Sequence, residues 1–198
     1  MSWPNGNNKV DHDQAANFPE TGNSKEFQRL FFALWPDNDL RLAVQNLKSL
    51  TDITDFGRCI SIDNIHITLV FLGQIDMPAK SCAECAAEHI HGKSFKLVLD
   101  RLGYWSKPQI LWLAPSQIPL ELTALYDLMK SRLIKCGVTL DERPYKPHLT
   151  LARKVKKPPP RIKIEPLTWH VKQYSLMESR QSPGGGVNYQ ELACWKLE

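Results

Sequence analysis

Residues 66–73 read HITLVFLG, and residues 148–153 read HLTLAR. Each stretch begins His-x-Thr-Leu and continues as an apolar run of strand length, so each is predicted to be a buried β-strand. A buried strand has no packing need for a histidine at its entrance or a threonine two residues on. In a strand, residues i and i+2 point to the same face. His66 with Thr68, and His148 with Thr150, therefore present an imidazole beside a hydroxyl, while Ile67 and Leu149 point the other way, into a core.

One copy of His-x-Thr reads most simply as a strand with a structural histidine. Two copies with the same following leucine point to a divided site, with two strands facing one cleft. The chemistry suits cleavage of a phosphodiester. One group must take a proton from the attacking oxygen and another must give one to the leaving oxygen. Two imidazoles with an unperturbed pKa near 6.5 can hold one proton between them near neutral pH. The hydroxyls can donate to non-bridging phosphate oxygens.

Arg153 is five residues after His148, an odd step that would place it on the opposite face of a regular strand. It can still reach an anion from the strand end, where a guanidinium matches phosphate oxygens. Phe71 has the same problem of parity relative to Thr68.

Outward from these motifs, the chain alternates strands and helices and then pairs strands directly. Gln28–Leu34 is a strand candidate, and Pro36 and Asp37 open a helix with Leu40, Val44, Leu47 and Leu50 at helical spacing. A second helix covers 78–91 and ends at Gly92. Strands are expected over Ser94–Asp100 and Gln109–Ala114 with a turn between them. A third helix, Pro119–Cys136, is closed by Gly137. Lys156–Pro160 (KKPPP) is a loop, because proline fits neither a helix interior nor a central strand. The end of the chain reads as Trp169–Glu178, a glycine-rich turn and Tyr189–Leu197, a hairpin. The order predicts an α+β fold with mixed or antiparallel sheets and two pseudo-symmetric lobes. Residues 1–26 are polar and aperiodic and are expected to form a flexible tail, leaving 27–198 as a single bilobal domain.

The 198-residue chain carries a formal charge of +4, unevenly placed. Eight Lys or Arg and no Asp or Glu fall between Arg143 and Lys163, while the remainder is mildly acidic. That segment suits an anionic partner beside the second motif. No apolar run reaches the roughly 18 residues a membrane span needs, and no signal pattern opens the chain, so the expectation is cytoplasmic. Five cysteines, an odd count, are then expected to be reduced thiols. Cys82-x-x-Cys85 with His89 and His91 resembles a zinc spacing but falls on one predicted helix, where Ala83, Ala86 and Ala87 make a small-residue face the simpler account; no metal is expected. Gly184–Gly186 lacks the lysine and helix of a phosphate loop and reads as a hairpin turn. Tyr104, Trp105 and Trp112 fit either a core or a cleft wall.

These stretches resemble the two signature motifs of the 2H phosphoesterase superfamily, in its RNA 2′,3′-cyclic phosphodiesterase branch, once described as 2′-5′ RNA ligase. RLFFALWP, HITLVFLG, RPYKPHLTLAR and SPGGGVNYQEL all fit, from about Arg29 to Leu197. The resemblance implies a bilobal, pseudo-twofold 2H phosphoesterase fold around a central cleft. It implies cofactor-independent opening of a terminal 2′,3′-cyclic phosphate to a 2′-phosphomonoester. His66, Thr68, His148 and Thr150 match its catalytic positions, Arg153 a phosphate-contacting arginine and Phe71 an aromatic near the base or ribose. Tyr145 and Lys146, leading into the second motif, are further substrate-binding candidates.

For a 2′-phosphate product the 3′-oxygen leaves. His66 is then expected to be the acid and His148 the base, because the basic segment disfavours a charged His148. The partners implied are RNA ends or small cyclic nucleotides, with no membrane, no obligate protein partner and a monomeric chain. The competing readings are a 2′-5′ RNA ligase using the same site, a non-catalytic RNA-end-binding module, and a metal phosphoesterase.

Overall fold

The computed structural model describes residues 27–50, 57–157, 163–182 and 185–198. Residues 1–26, Pro158–Pro160 and Gly184 lie outside the described residues, so the expected tail and most of the KKPPP loop do too. The elements in chain order are β1 (Gln28–Leu34), α1 (Asn38–Leu50), β2 (Arg58–Cys59), β3 (Ile67–Ile75), α2 (Met77–Glu88), β4 (Phe95–Leu99), β5 (Arg101–Trp105), β6 (Ile110–Ala114), α3 (Leu120–Leu133), β7 (Leu149–Arg153), β8 (Leu167–Val171), β9 (Gln173–Gln181) and β10 (Val187–Lys196). Short 3₁₀ turns at Ile62–Asn64 and Ile134–Cys136 complete the set.

The helices begin and end where local chemistry dictates. Asp37 Oδ1 accepts from the Leu40 amide at 2.9 Å, and Asp76 Oδ1 from the Ala79 amide at 3.1 Å. Each aspartate satisfies an amide that the first helical turn leaves open. Gly137, at φ 72°, takes the left-handed position beyond α3, where a side chain would be strained. The stripe Leu122, Leu125, Met129 and Leu133 is buried, as its spacing predicts. No described helix is long and apolar enough to cross a membrane.

The large sheet runs β10-β9-β1-β3-β7-β6-β5, with β2 added beside β7, and a small sheet pairs β4 with β8. Every pairing is antiparallel. The two halves of the large sheet meet at a single bridge, Ile67 opposite Leu149. These are the equivalent positions of the two His-x-Thr motifs, so the pseudo-twofold axis passes between them. Past that bridge β3 and β7 part, and β2 fills the gap beside the end of β7. Ile60 continues this contact, its amide donating to the Leu151 carbonyl at 2.9 Å. The core lies on the other side of the sheet, with Leu30, Phe32, Leu34, Ile67, Leu111, Leu149 and Leu151 fully buried.

Three sequence expectations change. Residues 101–105 form strand β5 instead of a turn. The chain leaves the small sheet at Asp100, whose carboxylate accepts from the Ser116 amide at 2.7 Å and the Ser116 hydroxyl at 2.6 Å, and then pairs with β6. Gly103 is a strand glycine required by close packing, since a Cβ there would overlap the Trp112 ring. Trp169–Glu178 is two strands in different sheets, divided at Lys172. Finally, Cys82 and Cys136 form a disulfide where α2 lies beside the end of α3, with Cα atoms 5.6 Å apart. That spacing is within the reach of a disulfide. The cysteine count alone could not show that the two helices meet there. Cys85 and Cys194 are free thiols, and Cys59 lies outside the disulfide.

Candidate active site

The bridge between Ile67 and Leu149 sets the site. The residues flanking it on each strand, His66 and Thr68 on one side and His148 and Thr150 on the other, share the face opposite those two buried side chains. All four line one cavity, together with Ile60, Asn64, Arg153 and Tyr189.

Arg153 reaches this cavity because β7 is not regular. In the ladder with β6, Thr150 stands opposite Trp112 and Ala152 opposite Leu111, with Leu151 as the extra residue of a β-bulge. Arg153 is then opposite Ile110, two residues from Trp112 and so on the same face as Thr150. The first motif repeats the device. Thr68 faces Ala33, Val70 faces Phe32 and Phe71 faces Phe31, with Leu69 as the bulge. Phe71 therefore shares the face of Thr68, contrary to the parity expected of a regular strand. It is 42% exposed, under the guanidinium of Arg29 at 4.9 Å, and does not line the cavity. In the pseudo-symmetry Phe71 corresponds to Arg153, so only the second half supplies a cation at this position.

Each imidazole is held the same way. His66 Nδ1 lies 2.7 Å from the Asn64 carbonyl, and His148 Nδ1 lies 2.8 Å from the Lys146 carbonyl. A carbonyl can only accept, so Nδ1–H donates in both. This leaves each Nε2 as the working atom. Aromatic rings then fix the planes. Trp35 stacks on His66 with centroids 5.4 Å apart and planes at 12°, and Tyr189 meets the same ring edge-on at 4.9 Å. Trp105 meets His148 edge-on at 4.6 Å. Of the aromatics left open by the sequence, Trp105 thus supports the site. Tyr104 is tied into the fold, its hydroxyl donating to the Val155 carbonyl at 2.7 Å. The Thr68 and Thr150 hydroxyls have no hydrogen-bond partner among the described residues, which leaves both available to a ligand.

Two substrate-binding candidates sit elsewhere. The Tyr145 ring stacks on Tyr126 at 4.1 Å, and its hydroxyl donates to the Thr68 carbonyl at 3.3 Å. Its phenol is pushed up from its ordinary pKa by burial, and it braces β3 from the core side. Lys146 has an exposed side chain outside the cavity; its part in the site is the carbonyl that orients His148. Sequence reasoning missed Trp35, Tyr189, Asn64 and Ile60. Trp35 and Tyr189 fall inside the quoted RLFFALWP and SPGGGVNYQEL stretches, which was the available signal.

Burial pushes His66 down from 6.5 to about 4, aided by the nearby charges of His148, Arg153 and Arg41 and opposed by the hydrogen bond to Asn64. Burial also lowers His148, again with help from Arg153. Arg153, from the basic segment, thus lowers both imidazoles and not His148 alone. The sign for stability follows. Above pH 6.5 both folded and unfolded chains hold His66 neutral. As pH falls from 6.5 towards 4, the unfolded chain takes up a proton that the native site does not. Native stability should drop by roughly 3 kcal/mol over that interval. Denaturant titrations at pH 7 and pH 4 in phosphate-free buffer should show His66→Gln losing less than the wild type by about this amount. Equal losses would contradict the burial account.

Among the described residues no three His, Cys, Asp or Glu side chains converge as metal ligands. Of the residues with zinc-like spacing, Cys82 is bonded to Cys136, and His89 Nδ1 contacts the Cys85 carbonyl of its own helix at 2.8 Å.

A family model described as the 2′-5′ RNA ligase superfamily matches residues 59–194. The chain is 30% identical over 176 residues to the RNA 2′,3′-cyclic phosphodiesterase of Escherichia coli, covering 87% of this chain and 98% of that protein. It is 36% identical over 123 residues to the Bacillus subtilis protein of the same name, covering 59% of this chain and 64% of that one. The crystal structure of E. coli LigT complexed with 3′-AMP superposes with a TM-score of 0.79 at 29% identity, covering 87% and 99% of the two chains.

Proposed function

Because the chain belongs to the 2′-5′ RNA ligase superfamily, we propose that its cavity opens terminal 2′,3′-cyclic phosphates of RNA ends or small cyclic nucleotides, leaving a 2′-phosphomonoester. The observation that carries this reading is the convergence of two Nδ1-anchored imidazoles, two unpartnered threonine hydroxyls and one arginine on one cavity. The relatives named for this activity and the E. coli protein complexed with 3′-AMP support it.

The cyclic phosphate sits with its non-bridging oxygens toward Thr68, Thr150 and Arg153. Hydroxyl and guanidinium donors aimed there stabilise the charge that grows on those oxygens in the transition state. Water attacks phosphorus while His148 Nε2 removes its proton. The bond from phosphorus to the 3′-oxygen breaks, and that oxygen takes a proton from His66 Nε2. The neighbouring phosphate charge is what allows the pair to hold one proton despite burial. Burial makes a protonated His66 a readier acid than a free imidazole, which suits it to protonate the leaving oxygen, and it keeps His148 neutral and able to take the proton from water. A pH–rate profile then reports apparent values of the pair rather than of either residue.

The same steps with the 5′-hydroxyl of a second RNA attacking in place of water would join two ends through a 2′-5′ linkage, the 3′-oxygen leaving as before, but in water hydrolysis prevails. A mononucleoside 2′,3′-cyclic phosphate should be turned over at an undiminished rate in excess chelator. Loss of turnover restored by a divalent cation would replace the two-histidine reading with metal chemistry.

A further inference from the structure

The mouth of the cavity carries a second guanidinium outside the paired motifs. Arg58 on β2 stands directly opposite Arg153 on β7, and Cys59 opposite Ala152. Directly opposed residues in an antiparallel ladder share a face, so Arg58 is on the face from which Arg153 enters the cavity. Ile60, two residues along the same segment, lines that cavity. The Arg58 guanidinium lies against the β9–β10 turn, where a Cβ added to Gly186 would come within 3.3 Å of Nη2. It thus spans the rim from β7 to the turn leading to Tyr189.

This arrangement has a cost that no carboxylate among the described residues offsets. Like charges directly opposite each other destabilise a ladder. Arg143 and Arg180 are paired with Asp141 and Glu178, but neither Arg58 nor Arg153 has a carboxylate partner among the described residues. Gly57 holds the two strands this close, because a Cβ there would meet the Arg153 carbonyl oxygen at 2.6 Å. A bare pair of arginines kept at one register position is a place for anions. Arg153 lines the cavity and is engaged by the terminal phosphate, whereas Arg58 is exposed at the rim and does not line it.

We propose that Arg58 binds the phosphodiester linking the last nucleotide of an RNA to the one before it, and so makes the enzyme prefer an RNA end to a mononucleotide. The inference rests on the reading of the cavity as a cyclic phosphodiesterase site. A mononucleoside 2′,3′-cyclic phosphate fills the cavity but offers Arg58 nothing, while an oligoribonucleotide with the same end supplies a second phosphate at the rim.

The test compares kcat/KM for a short oligoribonucleotide ending in a 2′,3′-cyclic phosphate with that for the corresponding mononucleoside, in the wild type, Arg58→Gln and Arg58→Lys. The ratio of the two should fall about tenfold in Arg58→Gln, the scale of one lost charge-assisted contact. It should fall less in Arg58→Lys. The slope of log KM against log salt for the oligonucleotide should drop by about 0.7, one phosphate contact on a single strand. An unchanged ratio overturns the proposal, whether both substrates lose activity equally or neither does. A wild type that turns over neither substrate overturns the cyclic phosphodiesterase reading itself and the proposal with it. Wild-type activity with an unchanged ratio overturns only the role of Arg58.

Discussion

Replacing His148 with alanine should lower kcat/KM on a 2′,3′-cyclic nucleotide by about 10²- to 10⁴-fold, and His66→Ala should do the same. Either variant removes one of the two proton transfers, and water in the vacated space lacks the Nδ1 anchor that aims each Nε2. The double variant should be little worse than either single one, because the two residues act as a unit. His→Gln at each position keeps much of the side-chain volume and should be equally inactive, separating lost chemistry from a collapsed site. Melting temperatures at pH 7 should stay close to the wild type, since both histidines are neutral there and lie outside the main core. Full activity in His66→Ala would refute the acid–base account, while intact RNA binding with no turnover in the wild type would favour the binding-module alternative.

The second large effect is expected at Arg153. Arg153→Gln should lower kcat/KM by about 10²-fold, the scale seen when one donor to a developing oxyanion is lost. It should also change titration in a direction that can be stated in advance. Arg153 lowers both histidines, so its removal should raise the pKa of each, as measured by NMR titration of the imidazole Cε1 protons. Thr150→Val takes away a donor without a charge and should reduce activity while leaving those titrations in place. If Arg153→Gln left both the rate and the histidine titrations unchanged, Arg153 would have no place in the site.

Much of this was legible in the sequence because it followed local rules. The repeated His-x-Thr placed both pairs on one face, since that step involves only residues two apart in a strand. Asp37 and Gly137 marked helix ends through a hydrogen bond and a φ value confined to a few residues. The positions of Arg153 and Phe71 were misread because period-two counting assumes a regular ladder. Leu69 and Leu151, the fourth residue of each motif, are bulges, and each brings the residue two further on, Phe71 or Arg153, to the site face. Nothing local to either leucine reveals this, because a bulge depends on how the neighbouring strand pairs. The disulfide and the rings of Trp35, Tyr189 and Trp105 against the histidines likewise join residues far apart in the chain. Tyr145 shows the reverse error. Its place beside a motif suggested ligand contact, whereas its ring and hydroxyl are spent on Tyr126 and the Thr68 carbonyl.

The most direct test is to incubate the protein with a 2′,3′-cyclic mononucleotide in chelator and identify the product by chromatography against both phosphate isomers. The account predicts the 2′-phosphate alone, with the 3′-oxygen leaving. A 3′-phosphate product would reverse the leaving oxygen and with it the roles of His66 and His148, and no product at all would contradict the two-histidine site.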